Sequence, residues 1–415
     1  MEYRKFSTFL NSVQYGYTAS ETSSFDGDAK YLRITDIVPY FVDKDRVPFC
    51  KISDINKEKY LVNENDLLIA RTGATTGYNL VVPKGFTNYV FASYLVRFFY
   101  DQKLLYPKYV KHVFKSDQYY GFVRNFIGGS AQPGMNPKTF GKFEFPYVNY
   151  ETQKQIADIL STYDDLIENN NRRIALLEKA AQELYKEWFV RFRFPGYETA
   201  EFEDGLPIGW ERTTFEKIAS FQNGYAFKSE DLLGSSEEDT YEVFKQGHIK
   251  RGGGFKAEGT KSWYPKSKCT DLNKFVLHKN DILMAMTDMK DNVAILGNTA
   301  LLPHDNRYIL NQRVGLLRPT KYRKVGFAYI YLLTNSYDFV NDLRSRANRG
   351  VQVNLSATQI RVSETIVPSE EINVMFEQII NPIFEEIFNI LNQNDNLTKQ
   401  RDLLLPRLMS GKLEV

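Results

Sequence analysis

The chain has 415 residues, a hydrophobic fraction of 43%, a charged fraction of 25% and a formal net charge of +2. That is ordinary for a folded protein with room for two to four domains, and a total so near neutrality neither requires nor excludes a nucleic-acid partner, because a local basic face decides that. Cys50 and Cys269 lie far apart without a CxxC, and His112, His248, His278 and His304 have no ligand spacing, which argues against a disulfide framework or zinc site and fits a reducing cytoplasm. No apolar run reaches the length of a membrane span, and the opening MEYRKFSTFL is too polar for a signal peptide, so a cytoplasmic protein without membrane contact is expected.

Residues 1–150 read as a mixed α/β globule. Tyr31–Ile37 is strand-like, Lys59–Ala70 runs through a polar turn at Asn63–Asp66 into an apolar strand, and Val90–Tyr100 is a further strand. Tyr106–Phe122 has helical spacing opened by Pro107, and Gly128–Asn136 is a turn-rich loop. A long helix over 151–192 follows. It has no Pro or Gly, and Leu160, Ile167, Ile174, Ala181 and Trp188 recur every seven residues, with Ile156, Tyr163, Asn170, Leu177 and Leu184 on the alternate series. This is a coiled-coil seam; about 40 residues make a helix roughly 60 Å long, which needs a partner along its length. A linker over 193–209 leads to a second globule, 210–368.

The second globule repeats the first. Gln14-Tyr-Gly-Tyr17 matches Gln222-Asn-Gly-Tyr225, and Leu32–Ile37 matches Phe244–Ile249. Lys59–Thr72 matches Lys274–Thr287, Tyr106–Phe122 matches Tyr322–Val340, and Gln132 and Asn136 match Gln352 and Asn354. A second seam over 369–415 closes the repeat, with Ile380, Ile387, Asn394, Arg401 and Leu408 on one series and Phe376, Ile383, Ile390, Leu397 and Leu404 on the other. The spacing predicts an α+β chain: two similar α/β globules separated by two long helices in an antiparallel coiled coil, a pseudo-twofold internal repeat. Setting Asn170 opposite Asn394 pairs Leu160 with Leu404, Ile167 with Leu397, Ile174 with Ile390, Leu177 with Ile387, Leu184 with Ile380 and Trp188 with Phe376, and faces Tyr163 with Arg401. A buried Asn pair fixes register at some cost in stability; the alternative is that either Asn faces water. Pro382 should kink the second helix or delay its start. Two heads held apart by a stiff rod suit two DNA half-sites separated by unread bases.

Gln14–Tyr17, Asn65–Gly73, Gln132–Asn136, Gly205-Leu-Pro-Ile-Gly-Trp210, Val351–Leu355 and the tail Leu403–Leu413, in this order with the duplication, resemble the specificity subunit of Type I restriction-modification enzymes. The resemblance implies that the globules are target recognition domains for the two halves of a bipartite double-stranded DNA sequence. It also implies docking of two methyltransferase subunits and, in the restriction complex, two motor-nuclease subunits. Adenine would be methylated in each half. S-adenosylmethionine, ATP and Mg would belong to those partners, with no cofactor or metal in this chain. The first globule departs from the pattern in lacking the Leu-Pro-x-Gly-Trp opening, Tyr3 standing roughly where Trp would be; Gly73–Gly77 is replaced by Asp288–Asn292, and Gly134 has no clear counterpart.

Base edges are read by Arg, Lys, Asn, Gln and Thr, and phosphates also take Ser and backbone N–H groups. The candidates in the first head are Arg33, Thr35, Arg71, Thr72, Thr75, Thr76, Gln132 and Asn136. In the second head they are Lys245, Gln246, His248, Lys250, Arg251, Thr287, Lys290, Arg313, Arg344, Arg346, Arg349, Gln352 and Asn354. Gln132, Gln352, Asn136 and Asn354 serve equally well as turn or helix caps. The chain carries no N/D-P-P-Y/F motif for a flipped adenine and no Walker A loop, which points to a noncatalytic DNA-binding subunit. A two-headed coiled-coil scaffold gripping proteins is the rival class, and a methyltransferase fragment a third.

Overall fold

The computed structural model describes residues 2–22, 26–38, 42, 44–45, 47–73, 75–127, 134–237, 239–257, 259, 261–289, 293–349 and 352–409. The chain divides into two compact units, Met1–Asn171 with Gln393–Val415, and Arg172–Asn392. Among the described residues no helix is long and apolar enough to cross a membrane.

Each unit is built on the same sheet. In the first, Leu10–Tyr15, Leu95–Tyr100, Leu67–Ala70 and Asn79–Val81 lie side by side in that order, all antiparallel. In the second, Ala219–Asn223, Val314–Pro319, Ile282–Ala285 and Thr299–Leu301 repeat it. A parallel pair stands beside each sheet, Ala29–Leu32 with Tyr89–Phe91 and Thr240–Phe244 with Tyr308–Leu310. The central strands are apolar on both faces, as Leu67–Ala70 and Ile282–Ala285 are wholly buried. The polar turn before each of them is made by Asn65 and Asn280, which take left-handed φ of 71° and 70°. The next residue of each, Asp66 or Asp281, is buried and neutralised by an arginine: Arg97 at 2.8 Å in the first unit and Arg318 at 2.6 Å in the second. Arg97 and Arg318 occupy different positions along their strands, so the charge pair recurs while its scaffold residue does not.

The segment expected as one helix, Tyr106–Phe122, is two helices, Pro107–Val113 and Asp117–Ile127, and its counterpart is Phe327–Thr334 and Tyr337–Arg346. Both break at a serine whose hydroxyl accepts from the following helix, Ser116 from Tyr119 N and Ser336 from Phe339 N. Local side-chain capping therefore outcompetes continued helix at these points. Tyr3 pairs with Pro146 while Arg212 pairs with Ile366, so Tyr3 corresponds to Arg212 and not to Trp210. Trp210 is buried among Phe189, Phe192 and Phe194, where the segment expected as linker forms a hairpin, Phe202–Glu203 with Leu206–Pro207.

The long helices are Tyr150–Tyr185, closed by a π-helical turn at Lys186–Val190, and Glu370–Met409. Each is rooted by a buried amide near its start. Gln153 donates to the carbonyls of Leu104 and Val148, and Asn373 to those of Arg323 and Pro368. In the first unit Asn170 Nδ2 donates to Asn394 Oδ1 at 2.9 Å and Arg401 Nη1 to Asp164 Oδ1 at 3.0 Å. One residue number falls as its partner's rises, so the helices run antiparallel there. Arg401 seeks the carboxylate of Asp164 and not the Tyr163 ring expected opposite it. In the second unit Trp188 meets Phe376 with ring centroids 5.5 Å apart and Arg173 Nη2 donates to Glu386 Oε1 at 2.7 Å, again antiparallel. Ile156 and Leu160 share a core with Leu404, Leu405 and Leu408; Ile174, Leu177, Ala181 and Leu184 share another with Ile380, Ile383, Ile387 and Ile390. Pro382 neither breaks nor delays the second helix. Its ring is exposed while Ile380, Phe384 and Ile387 are buried, and packing on both sides of it outweighs the roughly 3 kcal/mol that an interior proline costs.

Candidate nucleic-acid interface

The Gln-x-Gly-Tyr segments build one surface in both units. Gln14 Nε2 donates to Lys59 O at 3.1 Å and Gln222 Nε2 to Lys274 O at 2.9 Å, tying the sheet's first strand to the segment ahead of its central strand. Gly16 lies so close to Ala92 that a Cβ would stand 2.2 Å from its carbonyl oxygen; at Gly224 the distance to Asn311 O would be 2.1 Å. Tyr17 N then donates to Phe91 O, and Tyr225 N to Leu310 O. The clamp holds a tight turn in each unit, closed by Leu95 N to Ala92 O at 2.8 Å and by Val314 N to Asn311 O at 3.0 Å. The backbone of each turn is further held by Arg71 N to Tyr94 O and by Met286 N to Arg313 O.

Around the turn in the second unit, Lys245, Gln246, Gly247, Gln312 and Arg313 line one depression. Gln246 is fixed by its amide to Thr287 O at 2.6 Å and by Thr287 Oγ1 at 3.1 Å, and Thr287 in turn pairs across strands with Asn354. Gln352 and Asn354 are exposed on that strand, and Arg251 and Arg313 are exposed. The fold thus brings Lys245, Gln246, Thr287, Arg313 and Asn354 together. Lys250 lies 3.9 Å from Glu178. Arg346 is paired with Asp342 at 2.9 Å. Arg344 is half-buried and donates to the carbonyls of Leu296 and Ala294 and to Asn298 Oδ1, and burial lowers its pKa. Its role in the structure is to staple a loop. His248, with 0% of its surface exposed, lies between Glu242 and the Lys245 backbone N–H. The expectation that it reads DNA is corrected by that burial: its imidazole closes the turn beneath the depression.

In the first unit Arg71 is half-buried, donates to Ser93 O at 3.3 Å and lies 5.2 Å from the Tyr15 ring. Tyr15 and Tyr94 are 49% and 57% exposed, and sequence reading missed both. Tyr15 had a signal, its place inside the Gln-x-Gly-Tyr motif; Tyr94 had none, and the turn that carries it brings it beside Arg71. Thr72 bridges to Gly134, and Thr35 is exposed. Arg33 is held by Asp36 at 2.8 Å and Glu21 at 2.7 Å; hydrogen bonding to Asp36 raises its pKa despite burial. Thr75 is half-buried, and Thr76 is buried with its hydroxyl donating to Gly73 O, which takes Thr76 off the surface expected of it.

The structure also corrects one pairing of the repeats. Met135 N donates to Arg71 O and Leu355 N to Met286 O, so Gly134 corresponds to Asn354 and Asn136 to Ser356. Asn136 and Ser356 cap short helices, accepting from Thr139 N and Gln359 N. Gln132, Lys290 and the Arg349 side chain lie outside the described residues. Among the described residues no group of His, Cys, Asp and Glu is arranged to hold a metal.

The family model for the Type I restriction modification DNA specificity domain matches residues 15–179 and again 207–403. The chain is 26% identical over 377 residues to the MjaVIII specificity subunit of Methanocaldococcus jannaschii, covering 88% of this chain and 83% of that protein. It is 25% identical to the MjaIX specificity subunit of the same organism, over 74% of this chain and 69% of that one. To the HindI specificity subunit of Haemophilus influenzae it is 23% identical, over 88% and 91%. The crystal structure of the S subunit of a Type I restriction-modification system from M. genitalium shares the fold, with a TM-score of 0.51 at 16% identity over 98% of this chain and 95% of that one. With its matching segments spanning both repeats, the chain belongs to the Type I restriction-modification DNA specificity family.

Proposed function

We propose that this noncatalytic specificity subunit recognises a bipartite double-stranded DNA target, one half by each unit. The long helices set the number of unread base pairs between the halves. Methyltransferase subunits, and motor-nuclease subunits where they join, act on the adenines so located and bring S-adenosylmethionine, ATP and Mg with them. The observation that carries this reading is the repeated clamp: one backbone framework, built twice, displays different side chains in the two units. Two readers on one framework suit two unequal half-sites.

The test is binding of the complex with its methyltransferase subunits to duplexes carrying both halves, either half or neither. Affinity should need both halves and fall steeply with salt as phosphate counterions are released. Equal binding to all four duplexes, or affinity indifferent to salt, would favour the protein-scaffold alternative. Deleting one heptad from each long helix should change the unread spacing and leave both half-sites alone.

A further inference from the structure

The two clamped turns differ where they face outward. Ala92-Ser-Tyr-Leu95 and Asn311-Gln-Arg-Val314 are closed by the same turn hydrogen bond and held by the same glycine approach. Ala92 N donates to Leu32 O and Asn311 N to Phe244 O, which anchors the entry to each turn in the same way. Yet the central pair is Ser93-Tyr94 in one unit and Gln312-Arg313 in the other. Both residues of the second pair are exposed, and no hydrogen bond or ion pair engages either side chain among the described residues. This contrasts with Arg33, Arg344 and Arg346, whose guanidinium groups are committed to carboxylates or carbonyls.

From this arrangement we infer that the central turn residues are the specificity-determining pair of each unit, and that Arg313 reads a guanine in the half-site of the second unit. A guanidinium on a rigid backbone makes the bidentate contact that the O6 and N7 acceptors of guanine offer in the major groove. Gln312, beside it, carries an amide able to contact the neighbouring base pair. The first unit presents a hydroxyl and a phenol ring at the same positions, with the Arg71 guanidinium set back against Ser93 O and the Tyr15 ring. Its turn therefore makes no such guanidinium contact, and the two half-sites differ at the base pair under the turn. The inference rests on DNA recognition by each unit, and it adds the base and the residue.

The experiment uses the full chain assembled with its methyltransferase subunits, with competition against duplexes substituted one base pair at a time in both half-sites. Arg313→Ala should lose roughly 5- to 150-fold discrimination at a single G·C pair of one half-site and keep every preference in the other, which also serves as the control for folding. The double variant Ser93→Gln/Tyr94→Arg should gain a guanine preference at one position of the opposite half-site. Retained discrimination at every pair in Arg313→Ala would overturn the inference. So would a loss at an A·T pair, or a uniform weakening of all sequences with a shallower salt dependence, which marks a phosphate contact. A grafted first unit that gains no guanine preference would refute the claim that the turn decides specificity. If the unaltered complex shows no bipartite preference, the DNA-recognition reading itself fails; if it shows one that Arg313→Ala leaves untouched, only the present inference does.

Discussion

Asp164 offers a severe test of how the helices are held in the first unit. Its carboxylate is 2% exposed and receives Lys111 Nζ at 2.7 Å and Arg401 Nη1 at 3.0 Å. Asp164→Ala leaves Lys111 and Arg401 facing each other without the buried carboxylate between them. Breaking a buried pair costs about 3–5 kcal/mol. The lower end applies, about 3 kcal/mol, because Lys111 is 30% exposed and Arg401 keeps Asp402 at 2.8 Å. For a unit of this size that is a fall of about 6–12 °C in Tm. The second unit supplies the control. Its counterparts of Asp164, Lys111 and Arg401 are Phe384, Tyr331 and Ala181, with the two rings packed 5.5 Å apart. Converting the charged triad to that set, Asp164→Phe with Lys111→Tyr and Arg401→Ala, should be neutral or stabilising by about 1–4 kcal/mol. Denaturant unfolding, with hydrogen exchange over residues 150–171 to isolate the first unit, measures both, since two units need not melt as one. Burial opposes ionisation of Asp164, but Lys111, His112 and Arg401 outweigh it and hold its pKa below the ordinary value. A depressed carboxyl stabilises above the unfolded pKa of about 3.9 and loses that contribution as pH falls through the folded value. The gap between wild type and Asp164→Ala should therefore close below about pH 4. A neutral-pH loss under 1 kcal/mol for Asp164→Ala would refute the assignment.

Three further outcomes follow from the geometry. Replacing Asn170 and Asn394 together by Leu should raise Tm yet loosen the spacing of modified sites, since the amide pair constrains register at the expense of stability; an unchanged Tm and spacing would count against that role. Gly224→Ala puts a Cβ 2.1 Å from Asn311 O, so about 1–3 kcal/mol of stability and recognition of one half-site should be lost, as read by melting and by competition binding. Glu377 is pushed up to about 7, mainly by burial, against hydrogen bonds that include Tyr329 N. A raised carboxyl makes the fold bind the extra proton, so stability should fall as pH rises from about 4.5 to about 7, by on the order of 3 kcal/mol. Glu377→Gln should flatten that slope in a pH series of denaturation curves.

The duplication, the seams and the buried central strands were legible because each rests on periodicity or on a repeated string, whereas Tyr31–Ile37, expected as strand, turns helical at Ile34–Ile37, and Val90–Tyr100, expected as one strand, is Tyr89–Phe91 and Leu95–Tyr100 broken by the turn at Ala92–Leu95. Four further things were not. Ser116 and Ser336 split one helical pattern into two because a hydroxyl cap competes locally with a continuing apolar stripe. Pro382 looked like a breaker because a sequence does not display the packing that holds Phe376, Ile380 and Phe384 around it. Candidate contacts were chosen by residue type, which cannot separate the exposed Arg313 from Arg344 or from the enclosed His248; burial and partners decide that. The loop alignment slipped by two at Asn136 and Asn354 because identical asparagines drew the match, whereas the backbone hydrogen bonds pair Gly134 with Asn354.

Base-resolution mapping of the adenines methylated under direction of this subunit bears most directly on two readers built on one repeated frame. The expected map shows two unequal short half-sites separated by a constant stretch of unspecified base pairs, one modified adenine in each. A single uninterrupted motif, or modification with no sequence preference, would contradict it.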